Sequence, residues 1–220
     1  MTRTDESWFL LASQRSSSAE AAQHDRLLAA ARAAETAGCG RVWLSAPRGL
    51  AAQNDSMRLA VAVALHCEGL RVVAAGLRST SWIRLAEDAA TADGLCGGRL
   101  ELAFEGLPDA GVLERLRHAW SGARVAVHDG GEDAQWIEVH PRPVRRDGPP
   151  LWAVAASPAE AARAAELDLG AIVADPASAL AHFEAAGDAM PPPVAMLASA
   201  AHELPEDFGR VIALSQIALE

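Results

Sequence analysis

At 220 residues, half of them apolar and 22% charged, the chain has the length and composition of a globular domain able to bury roughly 70% of its extended surface, which excludes a tail or linker protein. Nineteen Lys and Arg against 29 Asp and Glu leave a net charge of -10 with no block of like charges, so nucleic acid finds no electrostatic handle. No window reaches the ~18 uninterrupted apolar residues of a membrane span, and the expected location is the cytoplasm.

The first predicted element is a short apolar strand from Trp8 to Ala12; the polar, acidic segment before it lacks the basic start of a secretory signal. An Ala-rich amphipathic helix from Ala19 to Ala37 follows, ended by Gly38 and Gly40, and feeds a strand from Arg41 to Ser45. A strand from Arg71 to Leu77 precedes a helix from Trp82 to Leu95, which ends at Gly97 and Gly98 and runs into a strand from Arg99 to Phe104.

Regularity breaks between Gly106 and Pro150. A helix from Val112 to Trp120 leads to polar turns and then to WIEVHPRPVRRDGPP, whose prolines suit neither a helix interior nor a central strand. This excursion reads as a strand or hairpin plus a surface loop. Beyond it come a strand from Leu151 to Ala155, a helix from Pro158 to Leu167, a strand from Ala171 to Ala174 and a helix from Pro176 to Ala186. The run MPPPV from Met190 leads into a strand from Val194 to Ala198, and Arg210 to Ser215 is a candidate eighth.

Apolar strands separated by amphipathic helices are the βαβ pattern, in which both faces of a parallel sheet are covered. Two architectures satisfy it, an open doubly wound sheet and a closed barrel, and seven or eight strands favour the barrel. The expected fold is therefore α/β, a (β/α)8 TIM-barrel-like domain spanning 1-220, shortened or incomplete because such barrels typically need about 250 residues.

Three segments carry a resemblance: AAARAAETAGCGRVWLSAP from Ala29, WIRLAEDAATADGLCGGRLELAFEG from Trp82, and HPRPVRRDGPPLWAVAASPAEAARAAELDLGAIVA from His140. In order and content they resemble the bacterial-luciferase-like flavin-dependent monooxygenases, a (β/α)8-barrel family. The second is the most specific, through the succession Ala86, Glu87, Ala90, Asp93, Gly98, Arg99 and Leu100. The resemblance implies reduced flavin (FMN) with dioxygen, or the deazaflavin F420, as cofactor, and a flavin reductase as supplier. It also implies a homodimer, or a heterodimer with a longer luciferase-like chain.

In such barrels the chemistry sits just beyond the C-terminal strand ends. After the second strand the family has an acidic residue and histidines, whereas this chain reads Ser45, Ala46, Pro47, Arg48; proline removes any acid-base group, and Arg48 remains as an anion ligand. After the third strand, Arg78, Ser79, Thr80 and Ser81 form a polar cluster able to bind a ligand, although a helix cap is the preferred reading for the hydroxyls. After the fourth, Phe104 and Glu105 are expected to place bulk and negative charge where the family keeps a glycine-rich turn.

After the fifth strand, Ala156 and Ser157 open a helix through the capping box Ser157-Pro158-Ala159-Glu160. Its free N–H groups make Ser157 the leading cofactor-binding candidate, near where the resemblance implies that the family holds the flavin phosphate, although a plain cap is the preferred reading. The catalytic residues are unassigned. Cys39, Cys67 and Cys96 form no CxxC pair and read as small buried residues in a reducing compartment; neither they nor the seven scattered histidines have metal-ligand spacing. No GxSxG, GxxxxGK[ST] or GxGxxG is present, so hydrolase, P-loop and Rossmann readings have no support.

Together these readings favour a component of a luciferase-like monooxygenase system, leaning towards an auxiliary or degenerate subunit. The alternative is a non-catalytic flavin- or metabolite-binding protein or scaffold, with no resident cofactor in the last case.

Overall fold

The computed structural model describes residues 5–11, 20–45, 55–78, 81–127, 134–186, 193–197 and 211–218. Eight parallel strands close into a barrel: β1 (Asp5–Leu11), β2 (Arg41–Ser45), β3 (Arg71–Leu77) and β4 (Leu100–Phe104), then β7 (Leu151–Val154), β8 (Gly170–Val173), β9 (Val194–Leu197) and β10 (Val211–Ala218). The ring closes where β10 pairs with β1 in parallel, Asp5 opposite Ile212 through Leu11 opposite Ala218. Around the ring lie α1 (Glu20–Thr36), α2 (Asp55–His66), α3 (Trp82–Leu95), α4 (Ala110–Trp120), α5 (Pro158–Glu166) and α6 (Pro176–Ala186).

The expected barrel is therefore present with all eight strands, and the excursion after β4 resolves into α4 and an antiparallel hairpin of β5 (Val125–Val127) and β6 (Gln135–Ile137). The helix least marked in the sequence is α2, whose segment DSMRLAVAVALH is rich in Val and Ala; its buried residues Met57, Ala60, Val63 and Ala64 recur at helical spacing.

Strand parity divides the core in two. Val42, Leu44, Val72, Ala74, Leu100, Leu102 and Phe104 face outward onto Ala31, Ala34, Ala60, Ala86, Ala89 and Ala90, small residues that let the helices lie close. Trp43, Val73, Ala75, Ala103, Trp152 and Ala195 fill the barrel interior. There the rings of Trp43 and Trp152 meet edge to face, with centroids 5.0 Å apart. Gly170 on β8 is required by this packing, since a Cβ would stand 2.3 Å from Cε3 of Trp152.

The motif of greatest specificity in the sequence proves architectural. Gly97 and Gly98 take positive φ at the end of α3, and the Arg99 guanidinium donates to the carbonyls of Ala64, Cys67 and Leu70 at 2.7–2.9 Å. One side chain thus satisfies the orphan carbonyls at the end of α2 and ties them to the start of β4. Buried Asp93 on α3 accepts the N–H of Val144 at 2.9 Å and holds the proline-rich approach to β7 against the helix.

Candidate active site and the opposite mouth

At the C-terminal end, a register shift between Ala75 and Leu77, with Gly76 at φ +79, bulges β3 just before its last residue. Leu77 pairs with Phe104, and Arg78 then reaches Glu105 beyond β4, with Nε 2.5 Å from the carboxylate. The ion pair is exposed, and the Glu105 carboxylate raises the Arg78 pKa further above its ordinary value through a hydrogen bond and its charge. Phe104 does not crowd the mouth as expected. Its position on β4 turns it outward into the layer beneath the helices, because successive residues of a strand alternate faces.

Ser81 acts as the N-cap of α3, its Oγ accepting from the Arg84 N–H at 3.5 Å. Ser79, Thr80, Pro47 and Arg48 lie outside the described residues.

At the end of β7 the capping box is formed. Ser157 Oγ accepts the Glu160 N–H at 3.3 Å, and the Glu160 carboxylate reaches back to accept the Ala156 N–H at 2.8 Å. After β8, Asp175 plays the same part for α6, accepting the Ser178 N–H at 2.9 Å and hydroxyl at 2.8 Å, and these bonds hold its carboxyl below the usual value. A flavin phosphate at the start of α5 would need the N–H groups and positive field of that helix end. Glu160 takes the Ala156 N–H and sets a carboxylate beside that helix start.

The opposite, N-terminal mouth holds a cluster that the sequence reading passed over. Glu101 on β4 is 1% exposed and accepts from Arg41 Nε and Nη2 at 3.1 and 3.2 Å and from Trp152 Nε1 at 2.8 Å. The Arg71 guanidinium approaches its second oxygen at 3.6 Å, and the Arg41 guanidinium lies 5.6 Å from the Trp152 ring centre. A carboxylate removed from water in this way persists because both oxygens are answered by charge-assisted bonds. The signal was available: in RVWLS and LELAF the charged residue shares its strand face with the inward Trp43 or Ala103.

With this geometry in place, the class is clear: the molecule has the luciferase-like barrel fold, and the model of the luciferase-like monooxygenase family matches residues 4–104. That match covers the first of the three resembling segments and the second as far as Phe104. None of the curated proteins matches the sequence. Among solved structures, monooxygenase RslO1 from Streptomyces bottropensis is similar over 87% of this chain and 70% of its own, at 20% identity and a TM-score of 0.71.

The oxygenating constituent of 3,6-diketocamphane monooxygenase from Pseudomonas putida, in complex with FMN, aligns over 86% and 66% of the two chains at 15% identity and a TM-score of 0.63. The coenzyme F420 dependent tetrahydromethanopterin reductase from Methanopyrus kandleri aligns over 88% and 65% at 15% identity and a TM-score of 0.66. At such identities the likeness is one of fold, and the chain spans about two thirds of each structure's length. Among the described residues, no helix is long and apolar enough to cross a membrane.

Proposed function

We propose that this chain works in the cytoplasm as an auxiliary or degenerate subunit of a flavin-dependent monooxygenase system, its 1-220 forming one barrel domain. It pairs with itself or with a longer luciferase-like chain, and that longer chain holds the reduced FMN, or F420, with a flavin reductase as supplier. One observation carries the auxiliary reading: both described anion-binding candidates at the C-terminal mouth are answered by the chain's own carboxylates, Arg78 by Glu105 and the Ala156 N–H by Glu160. Pro47, standing where the family has a histidine, supports it. Three free, buried cysteines accord with a reducing location.

The enzyme reading rests on the family match over residues 4–104 and makes a different prediction. Titrating oxidised and reduced FMN against the fluorescence of the six tryptophans tests both. Saturable quenching by reduced FMN, followed by a long-lived peroxyflavin absorbance on adding oxygen, overturns the auxiliary role. Absence of that absorbance, with native mass spectrometry showing a stable pair with a co-expressed longer chain, supports it. No quenching and no pairing leave a scaffold or a binder of another metabolite.

A further inference from the structure

Below the Glu101 cluster the N-terminal mouth opens into a cavity of about 480 Å3, a size suited to a small metabolite. Four guanidinium groups line it, from Arg41, Arg71, Arg117 and Arg145, against the carboxylates of Glu101, Asp147 and Asp168. We propose that this mouth binds a small polyanion, a molecule carrying two or more phosphate or carboxylate groups. The site lies at the end of the barrel opposite the presumptive flavin end and goes beyond the function proposed above.

The argument is one of charge placement. Glu101 has a side chain only 2% exposed and gives both oxygens to Arg41, so its charge is spent inside the protein. Arg71 lies 3.6 Å from the same carboxylate but is 53% exposed, and one carboxylate cannot neutralise two guanidinium groups. Arg117 is fixed by donating to the Leu167 and Asp168 carbonyls, while the Asp168 carboxylate, 3.7 Å away, is 85% exposed and well screened.

Arg145 is positioned from behind, because Asp93 grips the backbone of the preceding Val144. With Arg41 and Glu101 cancelling each other, the planar forks of Arg71, Arg117 and Arg145 face only the carboxylates of Asp147 and Asp168 across one space, an excess of one positive charge in a molecule whose net charge is -10.

Calorimetric titration of the whole chain with inorganic pyrophosphate, and separately with citrate, at constant ionic strength tests the site. Saturable one-to-one binding of either probe is expected, and the preferred probe assigns phosphate or carboxylate as the recognised group. Arg145→Gln and Arg71→Ala should each weaken it tenfold or more, with Arg163→Ala, an exposed arginine on α5 paired with Glu166, within twofold of wild type. Circular dichroism must show each variant folded; because Arg71 also touches Glu101, Arg145→Gln is the deciding variant. No saturable heat with either probe, binding retained within twofold in Arg145→Gln, or an equal loss in Arg163→Ala would overturn the proposal.

Discussion

At the N-terminal mouth a single buried carboxylate is shared among two arginines and a tryptophan, whereas at the C-terminal mouth the carboxylates of Glu105 and Glu160 make solvent-exposed bonds to Arg78 and the Ala156 N–H. The first arrangement is stiff and costly to disturb, since taking Glu101 or Arg41 away strands the other out of water. The second is cheap, solvent-screened and replaceable. Barrels place stability at the N-terminal face and chemistry at the C-terminal face, and this molecule keeps the first half of that division more plainly than the second.

The contrast can be broken from its strongest point. Glu101→Ala should cost about 3–5 kcal/mol, because Arg41 is left buried without its counter-ion; a urea titration measures it, and a loss under ~1 kcal/mol would show that Arg41 reaches water. Gly170→Ala drives a methyl against Trp152 in the same region and should cost about 1–3 kcal/mol in the same assay.

At the other mouth, Ser157→Ala should remove only a cap, about 1 kcal/mol, and leave any FMN affinity unchanged. A tenfold fall in FMN affinity would instead make Ser157 a cofactor ligand.

Smaller effects sharpen the comparison through pH. Burial pushes the Asp93 carboxyl above its ordinary value, so its protonated form is favoured in the fold. Its contribution is full below the unfolded-state value and is lost as pH rises through the raised, folded one. Asp93→Asn should therefore gain stability relative to wild type as pH rises across the carboxylate range. Asp175, lowered by Ser178, works in the opposite sense: its contribution holds above the unfolded value and falls away as pH drops through the folded one.

The smallest change is Glu105→Gln, expected to alter stability by less than ~0.5 kcal/mol because the pair is exposed. If Glu105 is what occupies Arg78, the same variant should bind FMN more tightly than wild type in the tryptophan-quenching titration.

Much of the ring was legible before the structure, since strand runs such as RVVAAGL and the glycine stops after α1 and α3 depend on local chemistry. The extent of the α2 segment was not, because its Val and Ala satisfy strand and helix alike until burial on one face decides. Phe104 was misread for a related reason: its position after Glu101 and Ala103 fixes which way it faces, but only once the inward set is known. The Glu101 cluster showed only as charged residues on inward strand positions, and its pairing was hidden by distance along the chain, its partners lying 60 and 51 positions away. Caps such as Ser81 and Ser157 were readable in part because they act within three residues of themselves.

The seam between β1 and β10 has a consequence in time. Pairing Asp5 with Ile212 closes a loop of roughly 200 residues, and such closure demands entropy before any contact rewards it. The remaining strand pairs of the ring, from β1–β2 round to β9–β10, span far shorter separations and can assemble as a curling sheet. Until the last pair joins, that sheet presents two unsatisfied edges, each able to pair with another chain. Slow closure at dilute concentration and self-association at high concentration are thus two outcomes of one seam, and dilution during refolding should favour the closed ring.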